Sequence, residues 1–214
     1  MTTLVIARYN EDVTWLDDIK LKDVRIKVYN KGLALESNWI PLPNVGRESH
    51  TYISHIINNY DNLSPITVFL QASPFDHIGN VENIYKLIQE ASTDSSGLSQ
   101  NAHVHEVGMC NAYHGFTIKQ HANKPVTPYK NGYTLGEWLY EMTGSYMTHS
   151  PRWYIGACFA ATREAIRSVP LKTWQNIHDS LSYDVDPVTG HYMERSWYML
   201  LTKNTLPIAA PRHL

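Results

Sequence analysis

The stretch of sequence that decides the fold is residues 66–77, ITVFLQASPFDH. Its first half is a continuous apolar and β-branched run, which is typical of a strand buried on both faces of a parallel sheet. The run ends abruptly at a polar, turn-forming sequence that contains Asp76 and His77. Because ligands bind outside the carboxyl ends of strands in open α/β sheets, this carboxylate and imidazole form a candidate metal or substrate site. The alternative is that Asp76 caps the helix beginning near Asn80, or shapes a turn.

Strand and helix patterns alternate on both sides of that stretch. Strands are predicted at residues 3–8, 24–29, 66–71 and 154–161. Helices are predicted at residues 48–60, 81–91, 162–168, 171–181 and 191–202, and one more begins at Thr134, where Thr134 and Glu137 form a capping box. Strand–helix–strand order with this spacing predicts right-handed βαβ units, and therefore an α/β fold with a central, mostly parallel sheet flanked by helices.

The bulk composition limits the classes of protein to consider. A chain of 214 residues with 43% apolar side chains fits one domain, for which we expect residues 1–204, with 205–214 as a tail or a linker to a further domain. A formal charge of −2 gives no electrostatic case for binding nucleic acid or an anionic membrane. No apolar run is long enough to span a membrane. Cys110 and Cys158 lie in apolar contexts, which predicts reduced, buried thiols and a cytoplasmic protein.

Polar side chains follow the first two predicted strands: Arg8, Tyr9, Asn10 and Asp12 after the first, and Asn30 and Lys31 after the second. Tyr9 can stack on a nucleobase, while Asn10 or Asp12 can bond to the edge of that base. The alternatives are that Asn10 caps a helix and that Lys31 lies in a plain loop. Two polar strand ends in adjacent βα units favour one shared ligand crevice.

Two helix starts carry further candidates. Gly46, Arg47 and His50 lie at the start of the helix predicted at 48–60. Free N–H groups at a helix start favour anions, and a guanidinium can bind phosphate oxygens through two hydrogen bonds, so we expect an anion site here. The alternative is that Arg47 forms a local ion pair with Glu48.

In the last predicted helix one polar stripe is made of His191, Glu194, Arg195 and Tyr198. The opposite, apolar stripe is made of Met193, Trp197, Leu200 and Leu201. The polar stripe can supply a metal ligand, a base and a phosphate clamp, or it can be a solvated face with ion pairs.

Other motifs are weaker. His103, His105 and Glu106 lack the third ligand and the helical spacing of a zinc enzyme, so we interpret them as structural. Asp184 and Asp186 form a D-x-D string, which turn chemistry explains. The sequence has no GxGxxG, P-loop or GxSxG motif.

Six segments taken in order, ARYNED, YNKG, LPNVGRESHTY, ITVFLQASPFDH, WYIGACFA and GHYMERSW, carry a family resemblance. The chain resembles GT-A-like glycosyltransferases, and most closely the N-terminal domain of a multidomain protein of large Chlorella viruses, over residues 4–201. The resemblance implies a GT-A (Rossmann-like) fold, a UDP-linked sugar donor and Mn²⁺ or Mg²⁺. The family's metal-binding D-x-D motif falls on Ser73–Asp76, where only Asp76 is acidic.

From this resemblance we expect transfer of a hexose or deoxyhexose from a UDP-sugar to a hydroxyl of a glycan or glycoprotein acceptor, metal-assisted and with inversion, in the host cytoplasm if the protein is viral. Glu194 is the expected base, with Asp179 as the runner-up. Asp76 and His191 are the expected metal ligands, with Asp184 and Asp186 as the first alternatives to Asp76. The donor-binding residues are expected to be Arg8, Tyr9, Asn10, Asp12, Asn30, Lys31, Arg47, His50, Ser73, Phe75 and Arg195. The alternatives are a catalytically silent nucleotide-sugar or glycan-binding domain, and a metal-dependent hydrolase built around Asp76, His77 and His191.

Overall fold

A computed structural model describes residues 1–34, 36–100, 114–145 and 156–202. The strands are β1 (Thr2–Arg8), β2 (Val24–Asn30), β3 (Ile40–Pro41), β4 (Ile66–Gln71), β5 (Leu98–Gln100), β6 (Gln120–His121), β7 (Lys124–Pro125) and β8 (Phe159–Thr162). The α-helices are α1 (Arg47–Asn59), α2 (Phe75–Ile78), α3 (Glu82–Thr93), α4 (Leu135–Thr143), α5 (Arg163–Arg167), α6 (Leu171–Leu181) and α7 (Val188–Leu201). Short 3-10 helices occupy Thr14–Asp18 and Tyr60–Asn62.

The central sheet has six strands in the order β3-β2-β1-β4-β8-β5. β1 pairs in parallel with β2 and β4, and β2 pairs in parallel with β3. β8 is antiparallel to both of its neighbours, β4 and β5. The predicted α/β fold with a mostly parallel sheet flanked by helices is therefore confirmed. Because the chain proceeds from β1 outward to β2 and β3 and then returns to β4, the strand order reverses between β1 and β4, where sheets of this kind bind ligands.

The middle strands are buried on both faces, as the apolar run of β4 predicts. Val5 and Phe69 point into a core cluster that they share with α1, α6 and α7. Their neighbours Leu4, Val68 and Leu70 point into a second cluster, which they share with α3. Alternate side chains thus enter opposite cores, which is the geometry of a pleated strand covered by helices on both sides.

Helix α7 is buried around most of its circumference. Every residue of α7 except Glu194 and Tyr198 is buried. Trp197 packs with its ring centroid 4.9 Å from that of Phe159 and 5.8 Å from that of Trp174. The interpretation of the polar stripe as a solvated face is therefore wrong, because His191 and Arg195 are only 3% and 8% exposed.

Long-range pairing accounts for most differences from the predicted elements. Residues 98–100, where no strand is predicted, form β5, because Leu98–Gln100 pairs with β8. Residues 75–78 form a short helix, and the side chain of Asn80, not that of Asp76, accepts a hydrogen bond from the Asn83 N–H at the start of α3. The capping interpretation of Asp76 is therefore wrong. The predicted capping box of Thr134 and Glu137 is confirmed.

Several expectations fall on parts of the chain that the structure does not describe. These are the thiol of Cys110, the set His103, His105 and Glu106, residues 154–155 of the predicted strand, and the tail 205–214. Cys158 is a free, buried thiol, as predicted, and burial raises its pKa to about 12. Within the four described ranges, none of the helices is both long and apolar enough to cross a membrane.

Candidate functional site

A crevice of about 180 Å³ opens at the carboxyl ends of β1 and β4, where the strand order reverses. Its walls come from the ends of β1, β2 and β4 and from the first turns of α1. The lining residues include Arg8, Tyr9, Lys31, Arg47, Glu48 and Gln71. The sequence placed four of these six in one site, and the structure brings those four together.

Arg8 and Asn30 form the wall between β1 and β2. Arg8 donates to Oδ1 of Asn30 at 2.7 Å and to the carbonyl of Glu11 at 2.9 Å, and its guanidinium lies 4.3 Å from the ring centroid of Trp39. Asn30 in turn donates to the carbonyl of Gly32 at 3.0 Å. Both side chains are almost completely buried. They hold two strand ends in register and thereby shape the crevice.

The segment after β1 forms the mouth of the crevice. The backbone N–H groups of Tyr9 and Asn10 both donate to one carboxylate oxygen of Glu11, at 2.7 and 3.1 Å. Tyr9 itself is 47% exposed. Asp12 accepts hydrogen bonds from the backbone and hydroxyl of Thr14, which lower its pKa and start the 3-10 helix. Asp12, not Asn10, is thus the residue whose side chain bonds to Thr14, the first residue of this 3-10 helix.

Lys31 connects β2 to the start of α1. Its ammonium donates to the carbonyl oxygens of Val45 and Arg47. Burial lowers the pKa of Lys31 to about 8, with the carboxylate of Glu48 opposing that shift. A lysine with this pKa is still mostly charged at neutral pH, so Lys31 contributes positive charge to the crevice.

Arg47 lies where the crevice meets α7. Gly46 and Arg47 both have positive φ angles, 63° and 52°, and the Gly46 N–H donates to the carbonyl of Asp184 at 2.8 Å. The guanidinium lies 3.6 Å from Glu48, the predicted local partner, and 3.6 Å from Asp186. Burial opposes the charge of Arg47, but nearby carboxylates, including that of Glu194, raise its pKa overall.

Three side chains that are common metal ligands meet behind Arg47. His191 Nε2 lies 3.2 Å from Asp186 Oδ1, and His121 Nδ1 lies 3.7 Å from Asp186 Oδ2. One ligand atom from each residue lies within 4.8 Å of the other two. Asp76, the ligand predicted to accompany His191, is not part of this group. His121 lies on the β6–β7 hairpin, and no pattern in the sequence indicated it.

Glu194 is held by the backbone that enters β8. Its Oε1 accepts a hydrogen bond from the N–H of Gly156 at 2.8 Å, while the carbonyl of Gly156 accepts one from Gln71 at 2.9 Å. Arg195 donates to the carbonyl of His191 at 2.9 Å, and its guanidinium lies 4.2 Å from the ring centroid of Phe116. Burial lowers the pKa of Arg195. These contacts connect the end of β4 to α7 through one glycine.

The end of β4 contributes exposed polar groups beside this glycine. Ser73 and Asp76 are exposed, whereas Phe75 packs edge-on against Trp15 with ring centroids 5.3 Å apart. A Cβ on Gly156 would lie only 2.3 Å from the ring of His77, so the two are in close contact. Asp76 is the sequence neighbour of His77, and His77 contacts Gly156, whose N–H is bonded to Glu194.

His50 does not line the crevice. It lines a separate cavity of about 350 Å³, which it shares with Ser54 and His178. The ring centroids of His50 and His178 are 4.4 Å apart. The expected donor-binding role of His50 therefore has no support from its position.

Comparisons with known proteins give one result. The chain matches the family described as "Protein of unknown function (DUF3431)" over residues 4–212. The protein belongs to the DUF3431 family. Searches of curated proteins and of solved structures returned no match for this DUF3431 chain. The family description states no activity, so any function for this member has to be argued from the site.

Three buried imidazoles of this DUF3431 protein make its stability depend on pH. Burial is the main cause that lowers the pKa values of His50, His55 and His191 to about 3, from an ordinary value of 6.5. Between these values the unfolded chain binds protons that the folded chain does not, so the free energy of unfolding falls as the pH drops from 6.5 toward 3.

We expect urea unfolding between pH 6.5 and 4.5 to show this loss, with a slope of up to about 1.4 kcal/mol per pH unit for each imidazole. The His55→Gln variant should show a smaller slope than the unmodified protein. An identical slope in both proteins would show that His55 does not stay neutral in the fold.

Proposed function

We propose that the protein is a metal-assisted glycosyltransferase that moves a hexose or deoxyhexose, with inversion, from a UDP-sugar to a hydroxyl of a glycan or glycoprotein. The observation that carries the proposal is the crevice at the reversal of strand order, which Lys31 and Arg47 line. Sheets of this class bind nucleotides at that position. The ordered segments that resemble GT-A-like glycosyltransferases contribute all of the crevice walls named above.

The crevice is lined by three cations, Arg8, Lys31 and Arg47, and two carboxylates, Glu11 and Glu48, and this excess of positive charge suits a nucleoside diphosphate. When a sugar leaves its nucleotide, negative charge builds on the diphosphate, and fixed cations stabilise it. Lys31 and Arg47 supply two such cations, and Tyr9 supplies an exposed ring on which a base can stack. Arg8 and Asn30 act indirectly in this proposal, because their polar atoms already hold the crevice wall together.

At the end of β4 the protein supplies one candidate ligand, Asp76, for the divalent cation that accompanies a sugar donor. Asp76 is a single exposed carboxylate, and Mg²⁺ is usually bound through one or two carboxylates together with substrate phosphates. Asp76 would hold the ion, with the donor phosphates as its other ligands. When bound, the cation would neutralise charge on the leaving diphosphate. His191, its expected partner, contacts Asp186 instead.

An inverting transfer needs a carboxylate that takes the proton of the acceptor hydroxyl, and Glu194 is our candidate. Its charge acts on Arg47 in the crevice wall. One observation favours the second candidate function, a catalytically silent nucleotide-sugar or glycan-binding domain. Glu194 already accepts a backbone hydrogen bond and lies 3.4 Å from Arg195, which lowers its availability as a base.

Release of UDP distinguishes the two functions. A transferase should release UDP from a UDP-sugar in the presence of Mn²⁺ and an acceptor glycan, and much more slowly when either is left out. A silent domain should bind the UDP-sugar, as measured by calorimetry, without acceptor-dependent release. Release that is independent of any acceptor sugar would instead indicate a hydrolase.

The Arg47→Ala variant tests the crevice itself. Loss of a charge-assisted hydrogen bond to phosphate should weaken UDP-sugar binding by about 1.5–3 kcal/mol. Calorimetric titration with UDP and with the UDP-sugar measures this change. Arg25→Ala is the matched control, since it removes the same charge from an exposed position near the amino end of β2. Equal donor affinities for the two variants would place Arg47 outside the donor site.

A further inference from the structure

We propose that His121, Asp186 and His191 form a binding site for a borderline divalent transition metal such as Zn²⁺, separate from the cation that accompanies the sugar donor. Two imidazoles and one carboxylate are a ligand set that zinc uses, and Mg²⁺ disfavours nitrogen ligands. The site goes beyond the proposed function, because it needs neither a nucleotide nor the crevice.

The geometry of the three side chains is close to that of a bound state. The two oxygens of Asp186 face different imidazoles, at 3.2 Å from His191 and 3.7 Å from His121. Ligands about 2.0–2.2 Å from a tetrahedral zinc ion lie roughly 3.3–3.6 Å from one another. The widest separation in the group is at most 4.8 Å, so a movement of about 1–1.5 Å completes the site. His121 is exposed on a short hairpin and is the residue placed to make that movement.

Backbone contacts already hold the two segments of the site side by side. The N–H of Thr127 donates to the carbonyl of Asp186 at 3.3 Å, and the N–H of Val188 donates to the carbonyl of Thr127 at 2.9 Å. Thr127 and Pro187 form an isolated β-bridge. The segment that follows the β6–β7 hairpin is thus fixed against the start of α7, which brings His121 to His191 across a long stretch of sequence.

Arg47 links this metal site to the crevice. Its NH1 lies 3.0 Å from the imidazole of His191 and 3.6 Å from Asp186 Oδ1, so without a metal the guanidinium is the cation beside Asp186. A bound metal replaces it there and repels it. Arg47 also lines the crevice and lies 3.6 Å from Glu48, another lining residue. The guanidinium can therefore move toward Glu48, on the crevice side, when a metal binds.

Metal titration of protein without a histidine tag or added nucleotide tests the site. We expect saturable binding of one Zn²⁺ by calorimetry and of one Co²⁺ by its visible absorption bands, which report the coordination geometry. His121→Ala and Asp186→Asn should each weaken binding at least about 100-fold, as loss of a direct ligand should cost no less than loss of an outer-shell partner. His178→Ala, which removes an imidazole outside this group, is the control and should bind as the unmodified protein does.

The outcomes separate this proposal from the proposed function. Unchanged Zn²⁺ affinity in both His121→Ala and Asp186→Asn, or no saturable binding to the unmodified protein, overturns the site whether or not the protein transfers sugar. Arg47→Met should bind Zn²⁺ about tenfold more tightly, because it removes a like charge near the ion. Unchanged affinity in this variant overturns the link to the crevice.

Discussion

Glu194→Gln should lower the rate of sugar transfer by about 10²–10⁴-fold, the usual range for loss of a general base, while donor affinity is kept. Glutamine retains the oxygen that accepts the Gly156 N–H, so the backbone at the start of β8 should stay in place. It cannot accept the proton of the acceptor hydroxyl at neutral pH. The measurement is UDP release under saturating donor and acceptor, together with calorimetric donor affinity.

Two further variants make this result specific. Glu141→Gln is the matched control. Glu141 lies on α4, pairs with Lys130, and is not among the residues that line the crevice. Glu194→Ala additionally removes the hydrogen bond to Gly156. If the glutamine variant transfers at nearly the full rate and the alanine variant does not, Glu194 positions the backbone and is not the base. Asp179, the other acid considered from the sequence, lines the separate cavity beside His178.

Trp197→Ala should lower the free energy of unfolding by about 3–5 kcal/mol, the usual cost of removing a buried aromatic side chain. The residue is 1% exposed and packs among Phe69, Phe159 and Trp174. Its removal would leave a cavity between α7 and the sheet that these rigid rings fill poorly. Urea unfolding followed by far-UV circular dichroism measures the loss.

Trp197→Phe is the comparison for this prediction. It keeps an aromatic ring in the cluster and should lose clearly less stability than the alanine variant. Within the described residues the indole N–H of Trp197 has no hydrogen-bond partner, so the phenylalanine variant gives up packing but no polar contact. A loss below about 1 kcal/mol for Trp197→Ala would show that α7 contributes little to this core.

The elements that the sequence predicted well are those whose patterns are local. Residues 66–71 and 171–181 were predicted with the bounds that the structure has, because each pattern is complete within one element. The strand predicted at 154–161 overlaps β8, which has four residues, whereas no strand was predicted at β5, which has three residues and pairs with β8. Their pairing is decided by contacts between distant segments, which periodicity within a short window cannot detect.

The same distinction applies to the site. Polar groups at strand ends predicted the crevice, since the carboxyl ends of parallel strands meet at one edge. The grouping of His121 with His191 needed the hairpin and α7 to meet in space. The inward contacts of Arg8 and Asn30 likewise depend on packing, because a buried polar side chain and an exposed one have the same sequence pattern.

The position of β8 in the sheet has a consequence for synthesis of the chain on the ribosome. β4 pairs with β1 at one edge, but its other edge is unpaired until Phe159–Thr162, the residues of β8, have been synthesised. β5 pairs in the sheet with β8 alone. At translation rates of about 5–20 residues per second, that edge of β4 stays open for roughly 5–20 s. An open apolar strand edge is a template for pairing with another chain. Nascent chains that do not yet include β8, and truncated forms that end before it, therefore need a chaperone or a low chain concentration to avoid aggregation.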